Sequence, residues 1–254
     1  MEQEKDLVSI IVPVYNAGSF IGETISMVQA QSFKDWELIL VDDGSRDDSR
    51  QKIRQCMEKG DDRIRLIVRE KNEGAARARN TGMEAARGRY VAFLDADDLW
   101  MPDKLKKELA FMKEKQAAFV FTAYEFGDDK GKGTGKIVEV PSTLTYFEAL
   151  SRTVIFTTTV LLDTDRTGWE LIRMPEVKSE DTATWWKILK CGFTAYGLND
   201  VLAIYRRPEK SLSSNKLEAI RRIWNLYRKQ EKLSLLYSIY NLFFWAVRAT
   251  KRRL

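Results

Sequence analysis

The sequence predicts an α/β fold: a doubly wound, mostly parallel sheet with helices on both faces, followed by a helical C-terminal extension. Three observations predict it. Apolar, β-branched runs alternate with helical patterns four times before residue 96. Runs such as "LVSIIVPVYN" and "WELILV" are apolar almost without interruption, as strands covered on both faces are. Polar residues gather directly after these runs, at the strand carboxyl ends where open α/β sheets bind ligands.

Taken in order, "LVSIIVPVYN" is the first strand and Phe20 to Gln31 a helix, before "WELILV" forms the second strand. "DDGSRDDS" turns into a helix that runs to about Lys59, with Ser45 or Asp47 as its N-cap. "RIRLIV" is the third strand. The Ala-rich "NEGAARARNTGMEAARG" is a helix with Gly88 as C-cap, and "RYVAFLD" is the fourth strand. Further on, "AAFVFTAYEF" reads as a strand, "GDDKGKGTGK" as a flexible loop and "TTTVLLD" as another strand. "SEDTATWWKILKCG" is a helix from Ser179 to a stop at Gly192, and "VLAIYRR" is a late strand. From Asn215 the pattern is two helices with no clear break. This divides the chain into a catalytic domain over 1–212, with halves of about 1–100 and 101–212, and a helical region over 213–254.

Composition narrows the chemistry. With 254 residues, 44% hydrophobic and 31% charged, the chain is globular rather than disordered. It has no histidine, which excludes histidine bases, triads and histidine metal sites. Cys56 and Cys191 lie far apart and form no metal spacing, which fits a reducing compartment. The opening "MEQEKDL" is charged and leads straight into a strand, unlike a secretory signal, so a cytoplasmic location is expected. Net charge is +5, and over 216–254 the Lys and Arg residues outnumber Glu218 and Glu231 several-fold. That asymmetry implies an anionic partner, a membrane surface or a nucleic acid.

The strand ends deliver Tyr15 and Asn16, Asp42 and Asp43, and Asp95, Asp97 and Asp98 to one edge. In "YVAFLDADDLW" three carboxylates crowd the end of an apolar strand and repel one another. An Asp-x-Asp pair of hard oxygen donors suits Mg²⁺ or Mn²⁺, ions that keep several waters and bridge phosphates. A solvated acidic turn is the bland alternative, and the coincidence with the other strand ends argues against it.

The segments "VSIIVPVYN", "ELILVDDGSRDDS", "NEGAARARNTG", "GRYVAFLDADD" and "SEDTATWWKILKCG", in this order, resemble family 2 glycosyltransferases of GT-A fold, over about residues 7–207. The resemblance implies inverting, metal-dependent transfer of a sugar from a nucleotide diphosphate, here a UDP-sugar, in bacterial surface-polysaccharide synthesis. It places Pro13, Tyr15 and Asn16 in the nucleotide site, with Tyr15 stacked on the base. Asp42 would accept from the uracil imide, with Asp43 beside it. Asp97 would ligate the metal, Asp95 would contact ribose or metal waters, and Ala96 lies between them. Asp98 is close enough to trade roles with either. Arg77, Arg79 and Asn80 would help hold ribose or diphosphate, the alternative for both arginines being a solvated helix face. Asp181 would be the base that deprotonates the acceptor hydroxyl, with Glu180 orienting it; the alternative is that both acids only cap a helix. Of Trp185 and Trp186, one would pack in the core and the other floor a sugar subsite. Many relatives carry a histidine or arginine in a stretch like "YR-x-H-x-x-S-x-S". This chain reads "YRRPEKSLS", so Arg206, Arg207 or Lys210 would neutralise the leaving diphosphate instead.

The apolar-aromatic run Leu233 to Val247 is too short to span a bilayer, which takes about 20 residues. Flanked by bases, it suits a helix lying at a membrane interface, which would bring the catalyst to a polyprenyl-diphosphate-linked saccharide. Packing on the catalytic domain or on a second subunit is the alternative. Two other functions are weighed. A nucleotidyltransferase of sugar phosphates would want a Gly-rich basic loop where "VYNAGSF" stands. A non-catalytic membrane or nucleic-acid binding module leaves the ordered acids unexplained; no nucleic-acid partner is expected.

Overall fold

The computed structural model describes residues 4–206 and 216–251. One ten-stranded sheet runs through both halves, in the order β3-β2-β1-β4-β9-β6-β10-β5. Its strands are β1 (Glu4–Val14), β2 (Trp36–Asp42), β3 (Ile64–Val68), β4 (Gly88–Phe93), β5 (Leu99–Trp100), β6 (Phe119–Gly127), β7 (Gly133–Val138), β8 (Thr143–Leu144), β9 (Val160–Asp163) and β10 (Ala195–Arg206). β7 pairs with β6, and β8 with β10. The first four strands are parallel. β9 is inserted antiparallel between β4 and β6. The helices of this region are α1 (Ile21–Gln29), α2 (Ser49–Met57), α3 (Ala75–Ala85), α4 (Lys104–Glu114), α5 (Tyr146–Leu150), α6 (Thr164–Thr167), α7 (Trp169–Ile172) and α8 (Glu180–Lys190).

Every residue of β2 is buried, and the acid that interrupts its apolar run, Glu37, is answered by Ser9 Oγ, Arg65 and Arg87. Its alternation sorts the two faces. Leu38 and Leu40 join the cluster that holds Ile53 of α2, while Ile39 and Val41 pack with Ala78 of α3. Gly82 lets α3 lie close on the sheet: a Cβ there would stand 2.5 Å from Ile11 Cγ2.

The chain steps outward from β1 to β2 and β3, then returns to place β4 on the other side of β1. The strand order therefore reverses between β1 and β4, and a crevice opens at their carboxyl ends. "VYN" and "LDADD" both end there.

Several local expectations give way. Gly88 does not cap α3, which ends at Ala85; it opens β4, where a Cβ would meet Leu7 O at 2.5 Å. Neither Ser45 nor Asp47 is the N-cap of α2, which is Asp48; both side chains instead bind the loop after β1. Half of the Gly/Lys loop is strand, because Gly133–Val138 return as β7 along β6. β10 starts at Ala195, well before Val201.

The C-terminal region comprises α9 (Lys216–Asn225), a π-helical turn (Leu226–Gln230) and α10 (Leu235–Lys251). The break invisible in the sequence falls where Lys232 takes a left-handed φ of 52°. One face of this layer rests on the catalytic domain. Tyr227 stacks on Trp186 with ring centroids 5.4 Å apart and donates to Leu150 O. Trp245 Nε1 donates to Thr153 Oγ1 at 2.8 Å. No helix among the described residues is long and apolar enough to cross a membrane.

Candidate active site

The crevice between β1 and β4 holds a cavity of about 450 Å³. Pro13, Tyr15 and Asn16 line it from β1, Gly74 and Ala75 from the start of α3, and Asp95, Ala96 and Asp97 from β4. Phe20 lines it too, a residue the sequence reading did not single out. Tyr15 is 48% exposed at the rim, free to lie against a flat ring. Asn16 adopts a left-handed φ of 50°, which asparagine tolerates, and its Oδ1 accepts from Arg46 N.

Strand alternation separates Asp42 from Asp43. Asp42 is fully buried on the α2 side; its Oδ1 accepts from Arg50 Nε at 2.6 Å and from Ser45 N at 3.1 Å. It is not among the residues lining the cavity, so the expected contact with a uracil imide is not supported there. Asp43 does line it. Asp43 Oδ2 accepts from Gly74 N at 2.8 Å and Oδ1 from Arg69 Nη1 at 2.8 Å, which ties strand two to the start of α3.

The three crowded acids have three different fates. Asp98 is turned inward, 1% exposed, so it does not trade roles with its neighbours. Its Oδ2 accepts from Thr158 Oγ1 at 2.6 Å and its Oδ1 from Arg206 N at 3.2 Å. Burial, with the nearby charges of Asp95 and Asp97, raises its pKa well above the usual carboxylate range. Asp95 Oδ1 accepts from Arg79 Nη2 at 2.6 Å, and its backbone N–H donates to Thr158 Oγ1 at 3.2 Å. Asp97 lines the cavity, and its pKa is raised by burial and by Asp95, with Arg206 opposing. Arg206 is itself buried, donating to Glu23 Oε2 at 2.8 Å with its guanidinium 4.8 Å over the Phe20 ring. Arg207 and Lys210 lie outside the described residues.

Arg79 joins the two halves. It is 5% exposed, gives Nη2 to Asp95 and gives Nη1 to Glu180 Oε1 at 2.8 Å. Burial opposes its charge, but Asp95, Glu180 and Asp181 outweigh that and raise its pKa. Glu180 is pushed up by burial, with Arg79 opposing. Asp181, in the first turn of α8, accepts from Thr157 Oγ1 at 3.0 Å and from Thr182 N at 2.6 Å, which fixes its orientation. Ser179, two residues before it, is left-handed, φ 62°, and makes no side-chain cap bond, while both acids lie in the first turn of α8, where the helix dipole favours them.

Other candidates are placed elsewhere. Arg77 pairs on the surface with Glu73 and Glu176. Asn80 exchanges two 2.9 Å hydrogen bonds with the backbone of Met174 and acts as a brace. Trp185 packs between Phe93 and Phe119, and Trp186 lies under Tyr227; at 2% exposure each, neither floors a sugar subsite. Thr157 and Thr158, in a 3₁₀ turn before β9, were missed as site residues because their partners lie 24 and 60 residues away in sequence.

Among the described residues no group of three or more Asp, Glu, Cys or His is arranged to hold a metal. Asp95 and Asp97 offer two hard oxygen donors on the cavity wall. That fits an ion of the Mg²⁺ type, which takes one or two carboxylates and completes its shell with water and phosphate oxygens.

The family model described as "Glycosyl transferase family 2" matches residues 9–165. A Bacillus subtilis (strain 168) protein, TuaG, described as a teichuronic acid biosynthesis glycosyltransferase, is 46% identical over the whole of both chains. Escherichia coli WfgD, a UDP-Glc:α-D-GlcNAc-diphosphoundecaprenol β-1,3-glucosyltransferase, is 38% identical over 87% of this chain and 85% of its own. Among solved structures, Staphylococcus aureus TarS 1–349 in complex with UDP-GlcNAc superposes with a TM-score of 0.70 at 21% identity. That match covers 97% of this chain and 72% of the other, and shows the same fold.

Proposed function

The chain belongs to glycosyl transferase family 2, and from that premise we propose that it moves a hexose or N-acetylhexosamine from a UDP-sugar to a lipid-linked saccharide, with inversion. WfgD supports both the uridine donor and the diphosphoundecaprenol-linked acceptor, and TuaG supports a cell-surface polysaccharide as the product. The observation that carries the reading is the pairing, across Arg79, of a cavity lined by Asp95 and Asp97 with the acids that open α8.

In this reading the base lies against Tyr15, and Asp43, rather than Asp42, meets the imide. Asp97 and Asp95 would hold Mg²⁺ or Mn²⁺, which when bound neutralises the donor diphosphate. Arg206, close enough to oppose the raised pKa of Asp97, adds positive charge on the leaving-group side. Asp181 takes the proton of the acceptor hydroxyl as that oxygen attacks C1. The C1–O bond to the diphosphate breaks on the opposite face, and its electron pair leaves with UDP. Thr157 keeps Asp181 aimed, and Glu180, held by Arg79, fixes the start of α8. Acting on a lipid-linked acceptor places the enzyme at the cytoplasmic membrane face. The test is turnover of radiolabelled UDP-hexoses with and without Mn²⁺, in the native chain and in Asp97→Ala and Asp181→Asn. Loss of metal-dependent donor binding is expected in the first and loss of turnover with donor still bound in the second. Full activity in both would overturn the assignment.

A further inference from the structure

α10 departs from an ordinary surface helix: Tyr237, Leu242 and Trp245 pack against the core, yet its outer face is apolar as well. Such helices turn their apolar stripe to the core and their polar face to water. Here Ser238 and Asn241, at 0% and 1% exposure, face inward, while Leu236 and Phe243 stand outward at 81% and 63%. Ile239, Tyr240 and Val247 complete the outward stripe at helical spacing. The two inward polar groups bond within their own helix, Ser238 Oγ to Ser234 O and Asn241 Nδ2 to Tyr237 O, so they do not explain the orientation. Beside the stripe, between α5 and α10, lies an open groove of about 630 Å³. Arg152 and Arg248 line it beside one acid, Glu148, and so does Phe147, which is 70% exposed. Arg248 donates to Ser151 O at 3.0 Å, and neither arginine makes an ion pair among the described residues. Arg228, Lys229 and Lys232 add positive charge at the other end of the helix.

We propose that α10 and the end of α5 form a docking face for an anionic bilayer. The outward stripe enters the boundary between headgroups and acyl chains, and Arg152 and Arg248 meet lipid phosphate. The helix is about 26 Å long at 1.5 Å per residue, and with polar groups on its inner side it lies in the interface rather than across it. Tyr240 and Phe243 are side chains of the type found at that depth. A second copy of the chain is a poorer occupant, because Arg152 and Arg248 outnumber Glu148 in the groove and a two-fold contact would bring this net positive charge together. The inference rests on the proposed lipid-linked acceptor for its purpose; its evidence is the surface itself.

The test is flotation of the full chain with vesicles of phosphatidylcholine alone and of equal parts phosphatidylcholine and phosphatidylglycerol. The native chain is expected to float with the anionic vesicles and far less with the neutral ones. Leu236→Ser/Phe243→Ser should lower binding about tenfold or more. Arg152→Glu should remove the preference for the anionic lipid. Unchanged flotation of the double variant, or no flotation of the native chain, overturns the proposal. So does a native dimer that the same double variant converts to monomer. Transfer to a water-soluble acceptor analogue, run in parallel, separates the two ideas. Activity without flotation sinks only the docking face; flotation without transfer sinks only the proposed reaction.

Discussion

The catalytic edge and the C-terminal layer both rest on arginines, and they use them in opposite ways. Arg79 is buried and answered by Asp95 on one side and Glu180 on the other. Arg152 and Arg248 line a surface groove beside apolar side chains. Glu148 shares that groove and has its pKa lowered by hydrogen bonds from Thr145 and in part by Arg152, but neither arginine forms an ion pair among the described residues. At the first site the chain supplies its own counter-charges, so geometry is fixed and any partner must fit between groups already placed. At the second the positive charge is only partly answered, and under the docking proposal an anion from outside would complete it. The difference separates a region built to hold atoms in register from one built to meet a surface.

The strongest way to break the first half of this contrast is at the base. Asp181→Asn is expected to lower kcat by about 10²–10⁴-fold with donor affinity little changed, read by steady-state kinetics and UDP binding. Next comes the strut. Arg79→Ala leaves two part-buried carboxylates without their cation and empties the volume of a buried side chain, and should cost about 3–5 kcal/mol in chemical denaturation. Arg79→Lys, which can keep only one of the two bonds, should retain donor affinity and lose kcat; equal loss of both would mean that Arg79 touches the donor. The link between the two regions is Trp186. Trp186→Ala removes the stack under Tyr227 and should cost about 3–5 kcal/mol, with faster proteolysis between residues 216 and 235 as the specific sign.

A smaller effect tests charge matching in the core. Lys104 and Glu108 are fully buried, 2.5 Å apart, with the ammonium 4.2 Å over the Trp100 ring. Burial pushes Glu108 up to about 7 and Lys104 down. Because the folded pKa of Glu108 lies above its ordinary 4.5, its contribution is fully present below that value and lost as pH rises through about 7. Glu108→Gln should therefore flatten the fall in stability over that window. Lys104→Met/Glu108→Leu should be neutral or stabilising by about 1–4 kcal/mol. Smallest of all, Leu236→Ser/Phe243→Ser should shift folding stability by no more than about 0.5 kcal/mol, since both side chains face outward.

Much of the sheet was legible because its signal is local: an apolar run bounded by polar turns needs no knowledge of its neighbours. The acids at the strand ends were legible for the same reason. Their separate fates were not. Asp42 and Asp43 differ only in which face of β2 each continues, and the six strand residues before them are buried on both. A sharper reading was available for Arg79. It shares a helical face with Ala76, Asn80 and Met83, all buried, whereas Arg77 falls between. That spacing distinguishes the strut from the surface arginine. Thr157 and Thr158 carried no such mark, since a threonine in a β-branched run looks like strand. The tryptophans misled because an aromatic pair on a helix after the acids invites a sugar, while Trp185 is used to seat α8 on the sheet and Trp186 to seat the C-terminal layer.

The outward stripe of α10 has a consequence for encounter rates. A catalyst resting on that stripe would share a plane with a lipid-linked acceptor, and the two would meet by lateral diffusion rather than by search through a volume. Its orientation would be settled before any saccharide arrives, leaving only rotation about the bilayer normal to be averaged.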